Sequence, residues 1–534
     1  MNTRMRWRTP ASTGSNQSAG AQKWRGILTD AILVHGVISC GTAVGKPPAM
    51  VVPNQEITPP SNSHHRCDTT RRWAGNHFIV FASMVNFSAS VIHMSAGALL
   101  GSRFANFLVV NDEQTMSQIL ERSTPRNSSS SGFDPRHVRR DFPIFEHNAD
   151  LVFLDSAASA QKPAAVIDGV AEYYRKDYAN IHRGVYRLSS RSTDLYEAAR
   201  ETVRRFLNAA DAREIVFVRN ATEGINLVAG TWGAVNLGIG DEVIITELEH
   251  HSNIVPWQLL RERKGFTLRA APVDATGALD LGAFERMLSP RTKLVAVTHV
   301  ANSIGTLLPV EAVIRLAHAH GAKVLIDGCQ TAPRLPVDVR ALDCDFFVFS
   351  GHKAYGPTGI GVVYGKLDLL DEMPPWQGGG GMIRVVSIEK TTFQDLPLRF
   401  DAGTPDISGA IGLALAIDYM ERLGRDALLE HEQRLTEYCV ERLSNLPGVR
   451  VVGAGLRQLS IVSFDVDGIH PHDVASVLDR HGIAVRAGHH CAQPLMERLN
   501  LAATIRVSFG AYNDEADVDA LVCGVEATQQ IFAR

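Results

Sequence analysis

The sequence predicts an α/β fold: a large domain on a mostly parallel sheet, followed by a smaller α+β domain at the C-terminus. Three observations carry this. From about residue 150, short apolar runs alternate with segments of helical rhythm. The runs are continuously apolar, as befits strands covered on both faces. Beyond about residue 406 the order changes to two consecutive helical segments and then a strand.

The first strand is Leu151-Val152-Phe153-Leu154. A helix is expected over Ser192–Leu207, where Leu195, Ala198, Ala199, Val203 and Phe206 fall near helical spacing. Strands follow at Glu214–Arg219, Glu242–Thr246, Lys293–Thr298, Lys323–Ile326, Phe346–Phe349 and Gly359–Tyr364. Between them, Pro309–His320 opens on proline and stops before Gly321, the usual asymmetry of helix ends. The tail carries helices over Ile411–Leu423 and Leu428–Leu446 and a strand at Leu459–Phe464. Three parts result: an extension and linker over 1–132, an N-terminal segment with the large domain over 133–405, and the small domain over 406–534.

Residues 1–132 lack this rhythm. Up to residue 110 the acids are Asp30, Glu56 and Asp68, against ten Arg and Lys. The stretch His77–Leu100 is uncharged and approaches membrane-span length, but Asn86, four serines and His93 interrupt it. An Arg- and Ser-rich, acid-poor segment also fits a transit peptide, although this one is long. We read it instead as sequence upstream of a true start near Met116, followed by a serine-rich linker over Asn127–Gly132. A cytoplasmic protein is then expected, or an organellar one if the extension is a genuine transit peptide.

Composition excludes several classes. The chain has 534 residues, 45% hydrophobic and 21% charged, which is ordinary for a soluble enzyme. A net charge of -4 leaves no basic field for nucleic acid. The seven cysteines form no CxxC pair, so neither a disulfide scaffold nor a zinc site is expected, and a reducing compartment is. No membrane partner is expected.

The informative text lies just after the strands, because open α/β sheets bind ligands at the carboxyl ends of their strands. Glu242–Thr246 leads into Glu249-His250-His251-Ser252-Asn253, and Lys293–Thr298 into His299-Val300-Ala301-Asn302. Lys323–Ile326 leads into Asp327-Gly328-Cys329-Gln330, and Phe346–Phe349 into Ser350-Gly351-His352-Lys353. Four neighbouring strands therefore end in a His, an Asn, an Asp and a Lys. Each residue type has a task in pyridoxal 5'-phosphate chemistry. Lys353 can form the Schiff base and move protons at a substrate α-carbon. Asp327 can keep the pyridine nitrogen protonated, His250 can lie against the ring, and Gln330 can donate to the phenolate oxygen. Asn220-Ala221-Thr222-Glu223-Gly224 opens a helix after a strand. Thr222 and the nearby backbone N–H groups can therefore hold the phosphate, with Ser350 and His352 completing the cup, and Glu223 is placed among the cofactor-binding residues. Taken singly, Asp327 also suits a turn, Thr222 an N-cap and Gln330 a surface position.

Cys491 lies in Arg486-Ala487-Gly488-His489-His490-Cys491-Ala492-Gln493-Pro494. A glycine, two histidines and a nearby arginine describe a mobile, electropositive loop, which favours thiolate. The remaining cysteines of the globular part read differently. Cys439 and Cys523 sit in helical text and read as core, Cys344 as packed, and Cys329 as a non-reacting neighbour of the cofactor site. A thiolate beside a cofactor-bound amino acid points to attack at the substrate β-position. With cysteine as substrate, the sulfur is transferred as a persulfide and alanine leaves. Arg506 can clamp the substrate α-carboxylate or form a structural ion pair.

These motifs resemble the class V aminotransferases and, within them, the SufS-type (group II) cysteine desulfurases. The likeness runs from about Phe133 to the C-terminus. It rests on Leu154-Asp155-Ser156-Ala157-Ala158-Ser159-Ala160-Gln161-Lys162-Pro163, His182-Arg183-Gly184, Ala221-Thr222-Glu223-Gly224-Ile225-Asn226 and Glu249-His250-His251-Ser252-Asn253-Ile254-Val255-Pro256-Trp257, with the Lys353 and Cys491 motifs. The short cysteine loop resembles group II rather than group I.

The resemblance implies a fold-type I homodimer with active sites at the subunit interface. It implies that Lys353, His250, Asp327, Gln330, Thr222, Ser350 and His352 hold the cofactor. Thr404 would reach the partner subunit's phosphate, and Arg183 would approach across the same interface. Asn302, Arg486 and Arg506 would orient the substrate. Cys491 would pass its sulfur to a SufE- or SufU-like acceptor for iron–sulfur cluster assembly. Two positions depart from the family: Cys329 stands where alanine is common, and Asp406 where asparagine is. The alternatives are a selenocysteine lyase on the same scaffold, acting on L-selenocysteine, an epimerase or kynureninase-like enzyme that needs no Cys491, and a non-catalytic scaffold. A scaffold has no use for Lys353, Asp327 and His250 together.

Overall fold

The computed structural model describes residues 133–533. The expectations for 1–132, including His77–Leu100 and Met116, lie outside the described residues. Two β-residues, β1 (Val152–Phe153), precede the main sheet. That sheet is built from β2 (Ile215–Val218), β3 (Glu242–Thr246), β4 (Thr267–Ala271), β5 (Thr292–Thr298), β6 (Lys323–Asp327), β7 (Phe346–Ser350) and β8 (Gly361–Gly365). Their spatial order is β2-β8-β7-β6-β5-β3-β4. From β4 to β7 every pairing is parallel. The strand β8 runs antiparallel to both of its neighbours.

The continuous apolar runs have the expected cause. Alternate residues of one strand point to opposite faces, and both faces are covered. Val295, Val297, Val324, Ile326, Phe347 and Phe349 enter one core, while Leu294, Ala296, Leu325, Phe346 and Val348 enter another. Each fully buried side chain of this size is worth about 1.5–3 kcal/mol relative to exposure. The strand β4 was not among the expected strands. It lies at the sheet edge, with Thr267 and Ala270 exposed, so it has no apolar run to read.

The helices that matter for the site are α1 (Ala164–Lys176), α2 (Arg187–Phe206), α3 (Ala221–Val228), α4 (Val255–Lys264), α5 (Val310–Ala319) and α6 (Ile407–Leu423). The apolar helix α6 is packed against α1 and α2. Asp406 caps it, its Oδ1 accepting from Gly409 N at 2.7 Å, so the departure from asparagine keeps the capping function. An exposed hairpin, β9 (Ile383–Val386) and β10 (Thr391–Phe393), also went unforeseen.

The C-terminal part holds an antiparallel sheet of β11 (Val449–Val452), β12 (Ile461–Val466), β14 (Arg486–Gly488) and β15 (Thr504–Ser508), ordered β11-β12-β15-β14. It packs with α7 (Arg425–Ser444), α8 (Pro471–Arg480) and α10 (Glu515–Phe532), and the short α9 (Gln493–Arg498) follows β14. The strand β1 pairs with β13 (Ile483–Ala484), and Asp155 bridges to Ser508. The beginning of the described chain thus runs beside the C-terminal sheet. Among the described residues no helix is long and apolar enough to cross a membrane.

Candidate active site

The parallel register brings the strand ends together. Thr298 of β5 pairs with Asp327 of β6, and Asp327 pairs with Val348, two residues before Ser350 at the end of β7. A cavity of ≈ 210 Å³ opens there. It is lined by Thr222, His250, Asn302, Asp327, Gln330, Ser350, His352, Lys353, Arg486, Cys491 and Arg506, so eleven of the fourteen expected site residues converge.

Asp327 is 4% exposed. Its Oδ1 accepts the Cys329 N–H at 3.0 Å. Gly328 is required beside it, because a Cβ there would fall inside the Phe347 ring. Ser350 Oγ accepts the Ala221 N–H at 2.9 Å, joining the end of β7 to the first turn of α3. Asn220 caps that helix by accepting from Glu223 N at 3.0 Å. A helix start aimed into a polar cavity suits an anion.

His250 Nδ1 accepts the Ser252 N–H at 3.0 Å, which leaves Nε2 as the protonated nitrogen of the neutral ring. Burial, and then the Lys353 ammonium, push its pKa down to about 4. His352 is lowered to about 4 by the same two causes in the same order. Lys162 braces the Lys353 turn from behind, its Nζ donating to His352 O at 2.8 Å, and burial lowers its pKa to about 8. Beneath His250, Glu249 is fully buried. Its carboxylate accepts from Thr246 Oγ1 at 2.7 Å, Asn253 Nδ2 at 2.7 Å and Thr298 N at 3.0 Å. Burial nevertheless raises its pKa to about 8.

Cys491 reaches the cavity from between β14 and α9. His490 and Cys491 both adopt left-handed backbone, with φ of 52° and 56°, a conformation that costs energy in non-glycine residues. Long-range hydrogen bonds hold it in place. Cys491 O accepts the His251 N–H at 2.8 Å, and His490 O accepts from Asn302 Nδ2 at 2.7 Å. His490 Nε2 lies 2.9 Å from Thr504 Oγ1. The loop is thus tied by hydrogen bonds to segments some 190–240 residues earlier, partners invisible in local text. Its electropositive character is supported. Burial, then Arg506 and Arg486, push His490 down to about 3.

Of the two readings given to Arg506, the structure shows the ion pair. Its Nη2 pairs with Asp155 Oδ1 at 2.9 Å and its Nη1 donates to Asn302 O at 2.9 Å. The side chain is 2% exposed and lines the cavity, and its buried Nε has no hydrogen-bond partner among the described residues. Gln330 is more constrained than expected. Its Nε2 donates to Ala157 O and its Oε1 accepts from Arg334, both at 2.8 Å. One N–H remains for a further acceptor.

Three expected residues lie elsewhere. The Glu223 carboxylate accepts from the Arg219 backbone N–H and, at 2.9 Å, from its Nε, so it binds its own neighbour rather than lining the cavity. Arg183 and Thr404 line a separate cavity of ≈ 380 Å³ in the same chain. Cys523, expected in the core, is exposed on α10, whereas Cys344 and Cys439 are fully buried. Sequence reasoning missed Asp155, Ser252, Lys162 and His490 as supports. Ser252 and His490 stand beside the chosen His250 and Cys491, and that adjacency was the available signal; Asp155 and Lys162 stand in the quoted motif Leu154–Pro163, which held no chosen residue.

The comparisons agree with this geometry. Residues 152–521 match the family model "Aminotransferase class-V". A cysteine desulfurase of Synechococcus elongatus is 44% identical over 90% of this chain and 75% of its own length. A probable cysteine desulfurase of Halalkalibacterium halodurans is 49% identical over 74% of this chain and 98% of its own. The crystal structure of the Escherichia coli cysteine desulfurase CsdA superposes with a TM-score of 0.71 at 39% identity, covering 75% of this chain and 100% of that one. The chain belongs to the class-V aminotransferase family and, within it, stands among the cysteine desulfurases.

Proposed function

We propose that the chain takes the sulfur of L-cysteine onto Cys491 as a persulfide and releases L-alanine, with pyridoxal 5'-phosphate as cofactor. One observation carries this reading: Lys353 and Cys491 line one cavity, together with Asp327 and Arg506. The donor set suits the cofactor. A buried carboxylate, Asp327, matches a pyridine nitrogen that must stay protonated. The start of α3 with Thr222, Ser350 and His352 matches a phosphate, and the neutral His250 ring matches an aromatic face. Arg506 lines the same cavity and supplies a guanidinium for a substrate carboxylate. When bound, the cofactor supplies an electron sink for chemistry at the substrate α-carbon.

The chain's own groups then have definite tasks. Lys353 would hold the cofactor by its aldehyde, and its amine can move a proton at the substrate α-carbon. Arg506, fixed by Asp155 and Asn302, orients the carboxylate, and Arg486 adds positive charge. Cys491 Sγ attacks the substrate sulfur. An S–S bond forms, the substrate C–S bond breaks with its electron pair left on the β-carbon, and a proton added there completes alanine.

The finer assignment is a SufS-type homodimer in which Arg183 and Thr404 of one subunit serve the other subunit's site, with a SufE- or SufU-like acceptor taking the sulfur for iron–sulfur clusters in the cytoplasm. The short, pinned cysteine loop supports the subgroup. Support for the dimer comes from exposed Val185, Tyr186 and Leu188 beside Arg183. The test is alanine formation from L-cysteine and from L-selenocysteine, by wild type and Cys491→Ala. We expect loss of cysteine turnover in the variant. Unchanged cysteine turnover in Cys491→Ala would remove the persulfide step, and turnover confined to L-selenocysteine would make the enzyme a selenocysteine lyase.

A further inference from the structure

Arg200 lies on the buried face of α2, is 1% exposed, and stands outside the residues lining the active-site cavity. All three of its guanidinium nitrogens are occupied. Nε donates to Glu197 Oε2 at 3.0 Å, Nη2 to Asp401 Oδ2 at 2.9 Å, and Nη1 to the carbonyl of Ile215 at 2.7 Å. Its two carboxylate partners lead in different directions. Glu197 holds His182 Nε2 through its other oxygen at 3.0 Å, and His182 N donates to Thr193 Oγ1 on the same helix at 2.9 Å. His182 sits in left-handed backbone, with φ of 70°, directly before Arg183. Asp401 lies three residues before Thr404, in a segment further closed by Gly403 N donating to Gly380 O at 2.7 Å. One guanidinium thus fastens the His182–Arg183 loop and the Asp401–Thr404 loop to each other and to β2. Both loops line the ≈ 380 Å³ second cavity.

We propose that Arg200 is a positioning residue that acts in trans: it fixes the two loops that one subunit lends to the active site of the other. This rests on the reading that Arg183 and Thr404 serve the partner subunit's site. A fork of three charge-assisted or carbonyl hydrogen bonds is what a lysine cannot reproduce, because an ammonium lacks the planar geometry. A buried arginine holding a helix to a strand would stabilise its own subunit, and the effect of its loss would stay there. A positioning role in trans sends the effect to the other subunit.

Mixed dimers separate these outcomes. Two differently tagged full chains are co-expressed and the hybrid purified with cofactor. In the first hybrid one chain carries Lys353→Ala and the other Arg200→Met. The lysine-bearing site then borrows loops from a chain with Arg200 intact. In the second, wild type is paired with a chain carrying both Lys353→Ala and Arg200→Met, so the lysine-bearing site borrows loops from a chain without Arg200. Alanine formation and cofactor retention on dialysis, read from visible absorbance, are measured for each. The first hybrid is expected to match a wild-type/Lys353→Ala control. The second is expected to fall ~10-fold or more in turnover and to lose cofactor, the scale of one charge-assisted contact. The opposite pattern, or equal behaviour of the two hybrids, overturns the proposal. If Arg200→Met does not fold, Glu197→Gln in its place tests the His182 arm with the same expected asymmetry. A monomer in sedimentation overturns the dimer reading itself, and this inference with it. A dimer whose hybrids behave alike overturns only the role of Arg200.

Discussion

Cys329 and Cys491 line one cavity, yet they belong to two different chemical worlds. Cys329 follows the end of β6, packed between Asp327 and Ser350, with its sulfur 3.8 Å from Ser350 Oγ. Burial, and then the Asp327 charge, push its thiol up to about 12. Cys491 sits on a pinned turn in left-handed backbone, half-buried, with Arg486 and Arg506 lining the same space. The difference teaches that a thiol's reactivity here follows from the element that presents it. A strand end buried against a carboxylate silences sulfur, and a strained turn among cations offers it.

The largest effect that bears on this contrast is Lys353→Ala. It should lower alanine formation about 10³-fold or more and abolish the lysine-bound absorbance of the cofactor, measured on the same sample. Retained absorbance and turnover would move the chemistry away from this strand end. Cys491→Ala should lower desulfuration by a similar factor while leaving the cofactor spectrum in place, which separates tether from nucleophile. Arg506→Lys keeps the charge but loses the fork, so kcat/KM for L-cysteine should fall about 10- to 100-fold. A loss confined to thermal stability would reduce Arg506 to the Asp155 ion pair alone. Cys329→Ala should change turnover by less than about threefold, because it removes a thiol that stays protonated; a loss on the Cys491→Ala scale would erase the contrast.

Much of the site was legible because its residues follow strands, and strands announce themselves by apolar runs. His250, Asn302, Asp327 and Lys353 were each found that way. Depth of attachment was not legible. Glu249 reads as one more loop acid, although it is buried against Thr246, Asn253 and Thr298. The pinning of Cys491 depends on His251 and Asn302, and the clamping of Arg506 on Asp155, partners separated by hundreds of residues. The edge strand β4 and the β9–β10 hairpin escaped for the opposite reason: both are exposed and have no buried face to pattern their sequence.

The buried ionisable groups predict a smaller, pH-dependent effect. His250, His299 and His352 are held at about 4 and His490 at about 3, below the ordinary 6.5. The unfolded chain therefore takes up protons first, and stability should fall as pH drops from 6.5 towards 4. Glu249, raised to about 8 from 4.5, acts with the opposite sign. Its stabilising contribution is full below pH 4.5 and is lost as pH rises through 8. Thermal melts across pH should show a maximum between these limbs. Glu249→Gln should flatten the limb above pH 6.5 and slightly steepen the rise between 4.5 and 6.5, where the two windows overlap; an unaltered alkaline limb would place that titration elsewhere.

The most direct test of the central claim is where sulfur lands. Full-length protein loaded with cofactor is incubated with L-cysteine and no acceptor, and the extra sulfur is located by mass spectrometry of intact protein and of its peptides. The account predicts one added sulfur on the peptide containing Cys491, present in Cys329→Ala and absent in Cys491→Ala. Sulfur on the Cys329 peptide, or sulfur still bound in Cys491→Ala, would contradict it.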